Sequence, residues 1–445
     1  MEQHIPCLSI VERSAEAADD IATREFRANM KFVLRARQNP VMRRVRQWLS
    51  VPLALRQALL GICQYGWHVK QRDGVSILRQ FVYLFIDYFY AIMPEDFYFY
   101  RLHLADQRRL KSRQFGFWQL LEMQKYLFES YGSEDAPLLK NKNLFIKKCL
   151  ENGLPTVPLL AEFSEGKMIP HLAELPQGDL FSKPADLFLG LGANLWRYNS
   201  AGNYVHAASG DTTDAKMLIA RLCEDSQIPA AAGASGRILL QEKISNHESM
   251  IGTLTMGGLA TIRLISCRAP SGSIEFLPPA IRMPLDDSFA DNLHQGGMGA
   301  PIDIVSGKIC GPAIRLDTQC GVSIFDTHPT TGIKLRGFQL PYWSEVLALA
   351  RKAHLAFGSM HFIGWDIAIL QNQPVLIEGN ALWGIIALPD GVSLADTQFM
   401  RCYNYHFKRS PSTNPAPATN PPIFCWRDAD WWIGAATDET SPKAP

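Results

Sequence analysis

Gly364-Trp-Asp366-Ile-Ala-Ile-Leu-Gln-Asn-Gln-Pro-Val-Leu-Ile-Glu378-Gly-Asn380 decides how this chain is read. Trp365 to Leu370 and Val375 to Ile377 are β-branched, aromatic and aliphatic, and Gln371-Asn372-Gln373-Pro374 between them is turn chemistry, so the segment predicts a β-hairpin. Side chains alternate across a strand, which puts Glu378 and Asn380 on one face. For Asp366 to join them it must lie opposite Glu378 or Asn380, and that register calls for an odd, three-residue loop. Asp366, Glu378 and Asn380 would then offer hard oxygen ligands without Cys or His, a set suited to Mg²⁺ shared with phosphate groups. Taken alone, the same pattern also describes a solvent-facing hairpin whose acids are simply hydrated. The rest of the chain has to separate the two readings.

The chain has 445 residues, 20% charged and 47% hydrophobic, with a formal net charge of +1. This is a globular composition with room for two or three domains, and no global field points to nucleic acid. Its nine cysteines form no C-x-x-C pair or tight cluster, so neither a zinc site nor a disulfide framework is suggested and a reducing cytoplasm fits. Met1-Glu-Gln-His-Ile-Pro lacks the features of a secretory signal. Ile77 to Met93 is apolar but carries Arg79 and Asp87, and it is too short to span a bilayer.

Charge is nevertheless uneven. Residues 26–72 contain no Asp or Glu but ten Lys and Arg, and residues 81–100 hold ten aromatics. Two readings stand: a solvated helix face beside an aromatic core, or a peripheral contact of residues 26–72 with an anionic membrane, at the inner membrane surface, or with a polyanionic substrate.

Residues 1–130 read as a helical, basic and aromatic-rich N-terminal domain. Residues 138–152 follow as an amphipathic helix that Gly153 caps and Pro155 stops. From Leu180 the texture becomes α+β. Leu180-Phe-Ser-Lys183-Pro184 is a strand ending in Lys ahead of Gly190-Leu-Gly192. Arg237–Ile244, Leu259–Ile265 and Ile274–Arg282 are further strands, the last two a hairpin across Pro270-Ser-Gly-Ser. Residues 341–357 form a helix with Pro341 in its first turn. After Lys408 a Pro-rich linker leads to a Trp-containing tail, residues 409–445.

A Lys at a strand end before a Gly-x-Gly loop is placed to meet phosphate oxygens. In order along the chain stand Lys142 at a helix start, Lys183 with its glycine loop, Gln241-Glu242-Lys243-Ile244, Arg263 alone on a strand, and the D-x11-E-x-N hairpin. Together these resemble the ATP-grasp superfamily. Gln241 to His247, Thr261-Ile-Arg263, Asp291-Asn292-Leu-His294-Gln-Gly296-Gly297, His328-Pro-Thr-Thr-Gly332 and Ile363 to Ala368 resemble its sugar-transfer-associated branch, over about residues 95–400.

That resemblance implies an α+β ATP-grasp fold, two α+β subdomains (residues 131–240 and 241–408) gripping ATP between antiparallel sheets. Lys142, Lys183, Gly190 and Gly192 would contact phosphates. Gln241, Glu242, Lys243 and Ile244 would form the hinge reading adenine, with Asn246 and His247 near the ribose. Asp366, Glu378 and Asn380 would hold one or two Mg²⁺, with Mn²⁺ as a substitute. The implied reaction joins a small-molecule carboxylate to an amine through an acyl phosphate. Arg263 and Arg282 would be the catalytic donors, and Asp291, Asn292, His294, Gly296, Gly297 and His328 would line the acceptor side. A kinase using the same phosphate machinery and a non-catalytic Mg·ATP binder are the alternatives.

The chain departs from the family pattern where Gly364 stands two residues before Asp366, a position at which many ATP-grasp ligases carry Arg. Gly379 also removes an apolar side chain between Glu378 and Asn380, and the loop from Asp186 to Gly192 is unusually apolar.

Overall fold

A computed structural model describes residues 21–37, 50–90, 92–172, 174–186, 192–227, 235–285, 296–317, 319, 321–385, 387–389 and 392–410. Gly190, Asp291, Asn292, His294, much of the Pro-rich linker and the Trp-containing tail lie outside the described residues, as does part of the basic stretch, residues 38–49.

Helices dominate the first part: α1 (Ile21–Arg37), α2 (Ser50–Gly61), α3 (Trp67–Asp73), α4 (Ile77–Tyr88), α5 (Pro94–Phe99), α6 (Ala105–Arg108) and α7 (Phe117–Tyr131). The aromatic segment packs into a core of its own, with Tyr65, Leu84, Phe97, Tyr98 and Leu102 buried. Tyr98 and Gln80 are joined by a hydrogen bond of 2.8 Å in that core. The long helix expected over residues 138–152 is two, α8 (Ala136–Lys140) and α9 (Lys142–Glu151). Asn141 separates them: its side chain accepts from the amides of Asn143 and Leu144, capping α9 and ending α8 in extended backbone.

Two antiparallel sheets follow. The first runs β2-β1-β7-β3-β4-β5-β6, from β1 (Ala161–Ser164), β2 (Lys167–Pro170), β3 (Leu180–Pro184), β4 (Asn194–Tyr198), β5 (Tyr204–His206), β6 (Thr212–Thr213) and β7 (Ile238–Glu242). Helix α10 (Ala215–Asp225) buries Leu218 and Leu222 in the core of this sheet. The second sheet runs β13-β12-β11-β10-β8-β14-β15, with β9 beside β8. Its strands are β8 (Thr261–Arg268), β9 (Ile274–Phe276), β10 (Ala280–Met283), β11 (Met298–Pro301), β12 (Ala313–Asp317), β13 (Gly321–Phe325), β14 (Phe362–Ile369) and β15 (Pro374–Asn380). The strand expected over Ile274–Arg282 is therefore two strands. Pro278 and Pro279 interrupt it, because neither has an N–H for the ladder, and both halves pair with β8.

Helix α11 (Trp343–Ala356) covers the second sheet, burying Val346, Ala350 and Ala353 with Ile363, Trp365 and Ile367 in the largest apolar cluster. Gly379 lets α8 and α9 close on the β15 edge. A Cβ there would lie 2.7 Å from a Leu139 methyl and 3.0 Å from the Trp365 ring. The C-terminal helix α12 (Phe399–Arg409) returns to α1, where the Phe26 ring packs edge-on against Phe399 and Tyr403 at 5.4 and 5.0 Å. Among the described residues no helix is long and apolar enough to cross a membrane.

Candidate active site between the two sheets

The hairpin forms, and Asp366 lies directly opposite Glu378. The route to that register differs from the odd loop expected. Ile369 faces Pro374, and the Leu370 amide donates to the Gln373 carbonyl at 3.0 Å, so the connection has an even number of residues. The pairing then slips by one between Asp366 and Ile367, leaving Ile377 as the unpaired bulge residue. The bulge supplies the parity that the loop does not.

Arg263 is opposite Asp366 on the neighbouring strand β8, and Arg282 is opposite Thr261, two residues earlier on that strand. Period-two alternation therefore sets Arg282, Arg263, Asp366, Glu378 and Asn380 on one sheet face. Arg263 grips Asp366 with Nε at 2.6 Å and one Nη at 3.3 Å. Arg282 reaches the other carboxylate oxygen at 3.0 Å, steadied by bonds from its Nε and Nη2 to the Thr261 hydroxyl at 3.0 and 2.7 Å. Burial alone would raise the Asp366 pKa, but the two guanidinium charges outweigh it and bring the group down to about 2. Glu378 goes the other way. Burial first, and the Asp366 charge next, push it above the usual carboxylate range, while Lys142 and Arg282 oppose the rise.

The first sheet brings Lys183, and helix α9 brings Lys142. The Lys142 amide, first in α9, donates to the Ala185 carbonyl at 3.0 Å, pinning the helix start just beyond the end of β3 where Lys183 sits. Burial lowers the Lys183 pKa to about 8, with the Lys142 charge adding to the effect and Glu378 opposing it. Burial lowers Lys142 too, countered by Glu378 and Asp186. Two close ammonium groups, each held below its ordinary value beside a carboxylate, form a site whose electrostatics improve when a polyphosphate arrives.

An apolar patch adjoins the charged groups. Ala368, two residues past Asp366 on the same face, lies opposite Val375. Both cluster with Val157 and with partly buried Ile244, Leu259, Leu370 and Ile377. The segment Glu242 to His247 connects the two sheets along this patch. Just before it the Gln241 side chain, expected to read a base, donates instead to the Val157 carbonyl at 2.6 Å. Glu242 is exposed, and Lys243 pairs with Asp179 at 3.6 Å. Asn246, expected near a ribose, is buried and joins Ala260 to Ile369 through its amide. His247 is half-buried, with Nδ1 2.9 Å from the Ser249 hydroxyl.

Other expected residues fall elsewhere. His328 is buried within its own turn, where Nδ1 accepts from the amides of Thr330 and Thr331 at 3.3 Å. It does not join the cluster around Asp366. Gly192 and Gly296 adopt positive φ of 71° and 91°, a backbone conformation that favours glycine. Gly297 is buried just before β11.

Sequence reasoning missed Thr261 as the orienter of Arg282, although its position two residues before Arg263 on the same strand was a usable signal. It also missed Trp383. That indole covers the place where a side chain at 364 would stand, since a Cβ on Gly364 would lie 2.6 Å from the Trp383 Cβ. Gln124 of α7 clamps the Trp383 backbone reciprocally at 2.9 Å on both sides, so the helical part of the chain closes this end of the face.

Chemically, the two carboxylates and the Asn380 amide suit a hard divalent cation that leaves the rest of its coordination to phosphate and water. Asn380 directs Nδ2 at both carboxylates, 3.4 Å from each, so ligation requires its amide to turn and present oxygen. Among the described residues no group of three His, Cys, Asp or Glu gathers to hold a metal. The donor set therefore fits an ion held jointly with a substrate.

The family model for sugar-transfer associated ATP-grasp proteins matches residues 122–399, more than half of the chain. No curated protein matches in sequence. Solved structures with a partial likeness include an L-amino acid ligase from Bacillus licheniformis, at 12% identity, covering 60% of this chain and 48% of that one with a TM-score of 0.33. The D-alanyl-alanine synthetase A of Vibrio cholerae matches at 11% identity, over 61% of this chain and 66% of that one, TM-score 0.34. The ADP complex of an N5-carboxyaminoimidazole ribonucleotide synthetase matches at 11%, over 65% and 58%, TM-score 0.37. The chain thus spans between about half and two-thirds of the length of these structures.

Proposed function

The chain belongs to the sugar-transfer associated ATP-grasp family, and from that premise we propose that it is an ATP-dependent ligase joining a carboxylate to an amine. The acceptor amine is carried by a sugar, a glycan precursor or a small natural product. One observation carries the reading: Asp366 and Glu378 face each other on one sheet, Lys183 comes to Glu378 from the other, and Lys142 comes to it from the start of α9.

In this reading adenine rests on the apolar patch of Val157, Ala368 and Val375, where its edge meets the backbone of residues 243–245 because the Gln241 side chain is already committed. Lys142 and Lys183 hold the phosphates. Asp366, Glu378 and Asn380 hold Mg²⁺, which when bound neutralises phosphate charge during transfer.

A substrate carboxylate oxygen attacks the γ-phosphorus, the bond to the β-bridging oxygen breaks, and ADP leaves. The amine nitrogen then attacks the acyl carbon of the mixed anhydride and inorganic phosphate departs, giving the amide and a released proton. Arg263, fixed through Asp366, and Arg282, fixed through Asp366 and Thr261, provide donors for oxygens that gain negative charge. With Trp383 over Gly364, this charge is met from β8 and β10 and not from position 364.

The test is an ADP-release screen of carboxylates against amine acceptors, run with wild type and Glu378→Gln. The ligase reading expects ADP and phosphate in equal amounts only when both substrates are present, and no turnover in the variant at an unchanged circular dichroism spectrum. Undiminished turnover in Glu378→Gln overturns the metal assignment, and ADP formed with a hydroxyl acceptor but without free phosphate makes the protein a kinase.

A further inference from the structure

Helices α2 and α4 carry exposed apolar stripes that the proposed chemistry leaves unused. Val51, Leu55 and Leu59 recur at four-residue spacing along α2, and Leu78, Val82 and Ile86 do the same along α4. Four-residue spacing places each trio on one side of its helix. All six side chains are exposed, Leu78 to 73%, and so are Leu60 near the end of α2 and Trp67 at the start of α3. The opposite faces are already satisfied: Ala54, Gln57, Ala58 and Gly61 of α2 and Gln80, Leu84 and Asp87 of α4 are buried inside the helical layer. An apolar surface this concentrated on two neighbouring helices is more than the scatter of single exposed residues that folded proteins ordinarily show.

The solvent-facing charge carried by residues 50–93 has one sign, and an exposed carboxylate, Glu95, follows just beyond at the start of α5. Between residues 50 and 93 the only carboxylates are Asp73 and Asp87. Asp73 faces His103 at 2.7 Å and Arg72 at 2.7 Å, and Asp87 is fully buried against Arg108 and Lys111 at 2.9 and 3.3 Å. Arg56, His68, Lys70, Arg72 and Arg79 are exposed. Lys70 stands 4.7 Å above the exposed Trp67 ring, so an indole and an ammonium group share the rim. The adjoining sequence adds Arg43, Arg44 and Arg46.

We infer that the α2–α4 face docks this protein on an anionic lipid surface. Leucine, valine and isoleucine side chains enter the interfacial region, Trp67 sits at headgroup depth, and Arg56, Lys70 and Arg79 meet lipid phosphates. A nucleic acid would satisfy the basic rim but offer nothing to eight exposed apolar side chains, and an acidic protein surface would leave them equally wet. A bilayer interface matches both features at once. Docking does not depend on whether the nucleotide site works as a ligase.

The experiment is flotation of the full chain with vesicles of phosphatidylcholine alone and with about 30% phosphatidylglycerol, at about 0.1 M and about 0.5 M salt. Binding to the anionic vesicles, weakened by salt, is expected. Leu78→Asp with Val82→Asp should abolish it, and these exposed sites should leave the melting temperature unchanged. Each of Arg56→Gln, Lys70→Gln and Arg79→Gln should weaken partitioning by about fivefold. Absence of binding to anionic vesicles overturns the proposal. So does binding that Leu78→Asp with Val82→Asp leaves intact, or a dimer dissolved by that double variant in a protein that ignores vesicles, which would make the face a contact between copies of this chain.

Discussion

Asp366 stands opposite Glu378 because Ile377 is a bulge. An even connection at the tip of the hairpin would otherwise pair Asp366 with residue 377 and turn Glu378 to the other side of the sheet. The bulge corrects the parity, and next to it Gly379 makes room for Leu139. Two carboxylates in one small volume then divide their roles. The two arginines beside Asp366 fix its charge, while Glu378 resists ionisation until a cation or the lysines compensate it.

Removing each carboxylate should therefore have unequal effects on the ion-free protein. Asp366 compensates two guanidinium groups, one of them buried, and breaking a buried pair by deleting one partner typically costs about 3 kcal/mol. Asp366→Asn should lose about that much in urea unfolding. Glu378→Gln removes a group that repels Asp366 but also a countercharge of Lys142 and Lys183, so it should cost clearly less than Asp366→Asn. Both variants should lose Mg²⁺-dependent nucleotide turnover. Equal destabilisation by the two would contradict the division of roles.

The part of this site legible in the sequence was the part encoded locally. Alternation fixed the shared face of Glu378 and Asn380, and the order of Lys142, Lys183, Arg263 and the hairpin identified the fold. The bulge was hidden because Ile377 is an ordinary strand residue, and nothing in its side chain announces an irregular backbone. The break between β9 and β10 is marked by Pro278-Pro279, but the apolar run around them reads as one strand. The meeting of Lys142 with Lys183 rests on one long-range amide-to-carbonyl bond to Ala185, which no local pattern contains. The commitment of Gln241 and Asn246 to backbone partners likewise depends on segments far along the chain.

A second prediction concerns acid sensitivity. His361 stacks on His406 with ring centroids 4.0 Å apart and packs edge-on against Tyr131 at 4.1 Å. Both of its ring nitrogens are buried without a hydrogen-bond partner among the described residues. Burial first, then the positive charge available on His406 and Arg268, holds its pKa near 3 against an ordinary 6.5. Between those values the unfolded chain binds a proton that the folded protein refuses, so stability is full above pH 6.5 and falls as pH drops toward 3. One such proton contributes a slope of about 1.4 kcal/mol per pH unit. His361→Phe should flatten the decline in unfolding free energy between pH 6.5 and 5 by about that slope. A variant that declines as steeply as wild type would show that His361 is not excluded from protonation in the fold.

The last prediction joins the electrostatics of the lysine pair to nucleotide binding. Lys183 sits near 8 because it is half-buried and beside Lys142, and a polyphosphate supplies the missing negative charge, so binding should draw the proton back onto Lys183. Affinity for Mg·ADP should then hold steady below about pH 7 and weaken above about pH 8, approaching tenfold per unit while a single proton is taken up. Lys183→Arg keeps its charge throughout this range and should flatten the profile, because guanidinium does not titrate there. Lys183→Met should bind weakly at every pH, having no proton to gain. Tryptophan-fluorescence titrations of the three proteins at pH 7, 8 and 9 separate these outcomes. If wild type binds equally well at pH 7 and pH 9 while Lys183→Met is strongly impaired, Lys183 contacts the phosphates as a permanently charged group and Lys142 does not depress it. If Lys183→Met binds as tightly as wild type, the lysine does not meet the nucleotide, and the convergence of the two sheets on Glu378 serves the fold instead.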